Sequence, residues 1–417
     1  MSDSIPLNHA MNRSSETVRL ALLHGIEAVV SMASNLLTIG VFFFMQHRFG
    51  WGLKRNFLLS SGLGAVYIFG ALGAHRISTT LGRRGGLAAA YGAIILATLT
   101  VALHATPAVA TVTILLFAFC SATTWPVIEN LVSEGAPDPH VLSRRLAVYN
   151  IVWAITGAGI IAVNGLIIEA WSIGVFLIPT FVCLIALLIA VLAPIIPKDE
   201  PQQAASHAPS LPPEPKLAQQ RIVALWLSRI CVPAMYLMIY ALAAMLPSLP
   251  LLQPMRPAMQ TLLSSVWMVA RFLMFLFLGA TVFWHTKPRL LLVAATMLLI
   301  SLVMITVRPT DIGMTVSDRM NLSVMIAGQI AFGAATGVIY TASLYFGMVL
   351  SEGSTEHGGY HEALIGLGMA LGPAMGALSQ WLFPGSQFAA VSFVGALIGI
   401  SILLASVASL HMRRKRG

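Results

Sequence analysis

One apolar, helix-length pattern occurs twice in this chain, and that duplication limits the folds open to it more than any other feature. Residues 123–135 read TTWPVIENLVSEG and residues 341–353 read TASLYFGMVLSEG, so Ser133, Glu134 and Gly135 fall on Ser351, Glu352 and Gly353. Downstream, Tyr149, Asn150, Gly157 and Gly165 align with Tyr360, His361, Gly368 and Gly376. Near the start of each half Arg19 and Glu27 align with Arg221 and Arg229. Two related bundles of apolar helices in one chain are a common plan for secondary transport, because rocking one half against the other opens a midplane site to each side in turn.

The composition requires lipid. With 57% hydrophobic and 9% charged residues among 417, and a mean hydropathy of +0.84, there is too little polar surface to cover a water-soluble globule. The apolar runs reach the roughly 20 residues that a helix needs to cross the hydrocarbon core. Twelve spans are predicted, near 19–46, 54–78, 86–104, 108–133, 146–168, 171–193, 222–249, 258–284, 290–307, 320–350, 361–382 and 388–410. The runs are continuously apolar and lack the alternation of barrel strands, so the predicted fold is an all-α integral membrane protein with two pseudo-symmetric six-helix bundles. The first eighteen residues are polar, with Asp3, Asn8, Asn12, Arg13 and Glu16, and are not expected to be a cleaved signal.

Basic residues orient the spans, since cytoplasmic loops carry excess Lys and Arg. With both termini in the cytoplasm, Arg13, Arg19, Arg76, Arg83, Arg84, Arg144, Arg145, Lys198, Lys216, Arg221, Lys287, Arg289 and the basic run 413–416 fall inside. Outside fall only Arg48, Lys54, Arg55, Arg256, Arg308 and Arg319. The net charge of +9 is therefore read as a topology signal, and no nucleic-acid partner is inferred from it. Cys120, Cys183 and Cys231 lie inside apolar runs without metal-type spacing, which predicts neither disulfides nor a zinc site. Residues 197–220, PKDEPQQAASHAPSLPPEPKLAQQ, cannot form a packed core and read as a linker. The expected organisation is a cytoplasmic segment 1–18, a bundle 19–196, the linker 197–220, a bundle 221–410 and a basic cytoplasmic tail 411–417.

Six spans, a linker and six more resemble the major facilitator superfamily over nearly the whole chain. The loop GAHRISTTLGRR, residues 73–84, is similar to that family's signature after the second span: Leu81, Gly82, Arg83 and Arg84 match its end, whereas Thr79 and Thr80 replace its acidic and basic members. Gly368, Gly372, Pro373 and Gly376 form G-x-x-x-G-P-x-x-G in the eleventh span, similar to a motif that the family's antiporters carry in the fifth. Glycines so spaced also let helix backbones approach closely in lipid, and both readings stay open. The resemblance implies that the first, fourth, seventh and tenth spans line a central cavity. It implies a secondary active transporter of a small molecule in the cytoplasmic (plasma or bacterial inner) membrane, a monomer, without cofactor or enzymatic activity.

Ionisable residues inside spans carry the remaining information, because charge at membrane depth costs about 2.5–3.5 kcal/mol even on insertion scales. His24 and Glu27 are three residues apart on one helical face and can share a proton; a structural pair is the alternative. Glu129 follows Pro126 in the fourth span and is a second candidate for proton coupling and substrate contact. Arg229, the counterpart of Glu27, carries the opposite charge, as a gate that pairs and separates requires. Gating is also expected of Arg83, Arg84, Glu134, Glu352, His361 and Glu362. Arg271 sits midway along the eighth span and suits an anionic substrate group, a buried carboxylate such as Glu129, or a misplaced span boundary. HEALIGLG from His361 is no metal motif, since adjacent ligands diverge, and no metal is expected. Trp125, Trp153, Tyr236, Tyr240, Tyr340 and Tyr345 stand on presumed cavity helices; most are expected to pack and a few to touch substrate. A membrane sensor without transport, or a membrane-embedded enzyme, remains the alternative. The second needs a catalytic constellation that the sequence does not display, and no ATP-binding signature such as G-x-x-x-x-G-K-[ST] occurs, so energy is expected from a gradient or a partner.

Overall fold

A computed structural model describes residues 5–136, 138–193, 215–351 and 355–414; the linker 197–214, Glu352 and the last three residues, with Lys415 and Arg416, lie outside them. No strand occurs among the described residues. The first half comprises α1 (Ile5–Asn35), continued through a π-helical turn Leu36–Gly40 into α2 (Val41–Phe49), then α3 (Leu53–Leu103), α4 (Pro107–Ser133), α5 (Pro139–Trp171) and α6 (Gly174–Leu192). The second comprises α7 (Pro215–Met245), α8 (Pro257–Ser264), which runs through a turn at Ser265 into α9 (Val266–Gly279), then α10 (Leu290–Thr306), α11 (Asp318–Ser351), α12 (Thr355–Leu382) and α13 (Gln387–Arg414).

Ten of these helical spans are long and apolar enough to cross a membrane, and α10 is a shorter one. At about 1.5 Å per residue, the 51 residues of α3 far exceed a hydrocarbon core of about 30 Å. The chain breaks at Gly82, with φ 71° and ψ 159°, a conformation open essentially to glycine alone. Counting α3 as two passes and including α10 makes the twelve expected. Polar residues set other ends: Thr106 caps α4 by accepting from Val109 N at 3.2 Å. Asp138 caps α5 by accepting from His140 N at 2.7 Å and Val141 N at 3.0 Å; bonds to Val141 and His140 hold its carboxyl below the usual range. Phe69, Leu96, Leu192 and Phe388 stand exposed on the outside of the bundle, as befits a lipid solvent.

The sequence repeat is also a packing repeat. A Cβ on Gly157 would lie 2.6 Å from Asn35 Nδ2 of α1, and one on Gly368 would lie 2.3 Å from the Pro233 carbonyl of α7. Each glycine therefore lets α5 or α12 press against the first helix of its own half. A Cβ on Gly165 would meet the Pro257 carbonyl of α8 at 2.0 Å, and one on Gly376 would meet Phe57 of α3 at 2.4 Å; this second pair serves the crossing to the other half. Between them Gly372 sits where a Cβ would be 2.2 Å from the Leu237 carbonyl. The glycine motif of α12 is thus a close-packing face toward α7 and α3.

The halves meet through the depth of the bundle. At the face away from the termini, Arg256 bonds Glu169 at 2.5 Å, and Gln46 bonds the Pro247 carbonyl and Ser248 at 2.8 Å each. Midway, Ser60 Oγ donates to the Tyr240 carbonyl at 3.3 Å. Toward the termini, a Cβ on Gly359 would lie 3.0 Å from the Ala71 carbonyl, and one on Gly279 would lie 2.9 Å from Ala147 Cβ. Within the first half, a π-helical turn disturbs the regular ladder, and Asn164 Nδ2 of α5 donates to the Gly40 carbonyl there at 3.0 Å.

Candidate functional site

Helical spacing turns a few sequence positions into one central cluster. On α4, Ser121, Trp125 and Glu129 recur every four residues and so share a face, with Trp125 Nε1 donating to Ser121 Oγ at 3.0 Å. The same spacing aligns Tyr149 with Trp153 on α5, Tyr236 with Tyr240 on α7, and Trp267, Arg271 and Phe275 on α9. Trp125 meets Tyr149 edge-on at 6.4 Å. Trp153 stacks on Tyr340 of α11 at 5.9 Å with 6° between the planes. Tyr340 lies 6.5 Å from Tyr236, which stacks on Tyr240 at 6.3 Å. The expected aromatic site residues therefore touch one another across both halves. Tyr345 is elsewhere, stacked on His285 at 4.3 Å.

Three carboxylates are buried around this cluster. Glu27 is fully buried and its Oε2 is 2.8 Å from His24 Nδ1. Glu129 is fully buried; Tyr149 donates to its Oε1 at 3.5 Å, and its Oε2 has no hydrogen-bond partner. Glu362 is buried and accepts a hydrogen bond from Tyr67 Oη of α3. Beside it, His361 Nδ1 is 3.1 Å from Ser343 Oγ, and its ring meets Tyr340 at 5.9 Å. One ligand-type atom each from Glu129, His361 and Glu362 lies within 4.8 Å of the others. Adjacent helical residues point about 100° apart, but both of these side chains reach Glu129. His361 and Glu362, expected at a gate, sit beside Glu129 near the start of α12.

Arg271 is the least satisfied group. Its side chain is 1% exposed, and its guanidinium lies 4.0 Å from the Trp153 ring centre, 4.7 Å from Trp267 and 6.0 Å from Phe275. None of Nε, Nη1 and Nη2 has a hydrogen-bond partner among the described residues. Ring faces attract the cation but do not replace the five N–H bonds that a guanidinium can make. Here it is neither paired with Glu129 nor reaching solvent.

The expected gating residues divide. Arg83 bonds Asn130 Oδ1 at 3.2 Å and the Glu134 carboxylate at 3.0 Å. Arg19 bonds the Leu131 and Glu134 carbonyls at 3.2 and 3.4 Å. Arg145 bonds the Glu134 carbonyl at 2.7 Å and Glu16 at 2.5 Å. Arg19 and Arg145 satisfy orphan carbonyls of α4, and Arg83 adds positive charge beside its negative dipole end. Arg84 does the same for α6, bonding the Val191 and Ala193 carbonyls at 2.7 and 3.0 Å. Arg229 lies over Trp226 at 5.4 Å, whereas Glu27 is held by His24 on its own helix. Sequence reasoning overlooked Tyr67, Tyr149, Ser343 and Trp267. The four-residue spacing of Trp267 to Arg271 was a usable signal; Tyr67, a lone tyrosine in an apolar run, offered none.

Twelve apolar passes in two matching halves, with a buried polar and aromatic cluster where the halves meet, make up the architecture of a membrane transporter. The chain belongs to the Major Facilitator Superfamily, which it matches over residues 25–358. Among solved structures it is similar in fold to the nucleoside transporter NupG. A point mutant of NupG superposes with a TM-score of 0.65 at 12% identity, covering 94% of this chain and 99% of that one. An unmutated NupG gives 0.64 at 13% identity, covering 94% and 98%. No curated protein matches the chain in sequence.

Proposed function

We propose that this transporter is a secondary active carrier of a small molecule bearing an anionic or strongly electron-rich group, that it works by alternating access and that it is coupled to protons. One observation carries the substrate reading: Arg271 is buried between aromatic rings at the meeting of the halves with all three side-chain nitrogens unpartnered. Such a group gains most from a ligand that supplies planar acceptors, while Trp153, Tyr340, Tyr236 and Tyr240 offer flat faces and Trp125 lines the neighbouring wall. Glu27 with His24, and Glu129, are the proposed proton carriers, because Glu27 and Glu129 are carboxylates of the first half buried beside this cluster and His24 is half-buried against Glu27. NupG carries nucleosides by its name, so nucleosides belong among the compounds tried.

The moving bodies in this reading are 19–196 and 221–410, with 1–18, the linker 197–220 and the tail 411–417 in the cytoplasm and the chain acting as a monomer in the cytoplasmic membrane. The deciding measurement is a melting-temperature screen of the purified protein against small organic anions and nucleosides, since a ligand of the folded state stabilises it. A ligand should stabilise the wild type and fail with Arg271→Lys; equal stabilisation of both would reject the anchor. Glu27→Gln and Glu129→Gln should lose gradient-driven transport while exchange persists. Wild-type rates and pH dependence in both would reject coupling through them.

A further inference from the structure

We infer that Glu129, His361 and Glu362 form a binding site for a divalent first-row transition cation that ties α4 of the first half to α12 of the second. The three residues are 232 or more positions apart across the halves, except for the adjacent pair on α12, yet one donor atom from each lies within 4.8 Å of the others. Two ligands of one tetrahedral ion with bonds near 2.1 Å stand about 3.4 Å apart. A small inward movement of the side chains therefore closes the set. One imidazole and two carboxylates make a mixed nitrogen and oxygen set, which suits zinc, manganese or cobalt better than calcium or a thiolate-seeking ion.

The surroundings are built as metal ligands are usually supported, with a second group orienting each one. Tyr149 donates to Glu129 Oε1 at 3.5 Å, Tyr67 donates to Glu362 Oε2, and His361 Nδ1 is 3.1 Å from Ser343 Oγ. The other ring nitrogen of His361, Nε2, is buried. Glu129 Oε2, fully buried, has no hydrogen-bond partner, and Arg271 does not supply one. Two ionised carboxylates at this separation repel each other, and a shared divalent ion removes that repulsion. The site is distinct from the Arg271 box; Tyr340 stands between them, stacked on Trp153 and edge-on to His361.

The inference does not depend on what the protein carries, because its test is binding and not transport. Purified full-length protein in detergent is titrated with Zn2+ and with Co2+, following heat of binding and melting temperature. One ion per chain should bind at micromolar concentration and raise the melting temperature. Zinc X-ray absorption on the wild type should show one imidazole nitrogen with oxygens, a result independent of how any variant folds. Glu129→Gln and Glu362→Gln should each weaken binding at least about tenfold, and Tyr67→Phe should weaken it less, as expected for an orienting group. Absence of binding, a shell containing sulfur or several imidazoles, or unchanged affinity in both glutamine variants would overturn the site.

Discussion

The arginines at the end of α4 and the arginine at the centre of α9 are the same side chain put to opposite uses. Arg19, Arg83 and Arg145 direct their donors to the carbonyls and side chains of residues 130–134 and to Glu16. There they finish a helix that would otherwise end with unpaired acceptors. Arg271 is more deeply buried, and none of its nitrogens bonds an acceptor among the described residues. A buried cation lacking hydrogen bonds lowers stability, so its retention in an aromatic box fits a group held ready for a ligand. In the function proposed above the first cluster belongs to the scaffold and the second to the cargo, and substitutions should separate them.

The largest effect is expected at Arg271. Arg271→Lys keeps the charge but loses the planar fork, and ligand affinity should fall about 100-fold, near 2.7 kcal/mol. Arg271→Ala should leave membrane abundance close to wild type, because no carboxylate is orphaned by it; a paired arginine would instead show a loss of about 3 to 5 kcal/mol. Quantifying folded protein in the membrane beside ligand affinity reads both effects. A collapse in abundance with alanine would break the comparison at its central point.

Next comes Arg145→Ala, which strips the Glu134 and Val132 carbonyls and Glu16 of a charged donor. Hydrogen bonds to charged groups contribute about 1.5–3 kcal/mol, and the partly exposed position places the expected loss near the lower end. Melting temperature should drop while ligand affinity holds. If affinity falls and stability does not, the α4 arginines belong to the site as well.

Much of this division was legible in the chain, and the parts that were not share a physical cause. Hydropathy gave the twelve passes, and Gly82 marks the turn between two of them that a helix reading alone runs together. The aligned glycines fall at paired close contacts, since small residues in lipid let helix backbones approach. Arg271, Glu129 and Glu27 stood out since charge at membrane depth is expensive. Tyr67 did not, and Glu362 reads in the sequence only as a gate residue, because the bond between them joins residues 295 apart and exists only once the halves dock. The repeat misleads where docking differs: Tyr149 is buried beside Glu129, while its counterpart Tyr360 is 56% exposed. Opposite charges at the repeat positions of Glu27 and Arg229 suggest a pair that forms when the cytoplasmic side closes; in this structure His24, one turn away on the same helix, holds the carboxylate.

A smaller effect is expected from Tyr67→Phe, which removes the hydroxyl donor to Glu362 and nothing else of the ring. The loss should be about 1–3 kcal/mol because a buried carboxylate loses its one donor among the described residues. Seen in thermal unfolding, a loss within that range ties Glu362 to the buried cluster; no change would return it to a gate.

The smallest effect should come from Glu134→Gln, although Glu134 looks like the hub of the arginine cluster. Its carboxylate contacts Arg83 at 3.0 Å and Arg19 at 3.9 Å, but the side chain is 36% exposed, and ion pairs so exposed contribute about 0–1 kcal/mol. The amide oxygen of glutamine still accepts from Arg83. More important, Arg19 and Arg145 bind the main-chain carbonyl of Glu134, which the substitution leaves in place. Stability should therefore change by less than about 1 kcal/mol, well below the effect of Arg145→Ala. If thermal unfolding shows Glu134→Gln to be the more damaging of the two, the cluster is held by side-chain charge and not by helix-end carbonyls. The contrast with Arg271 would then rest on charge pairing instead of on capping.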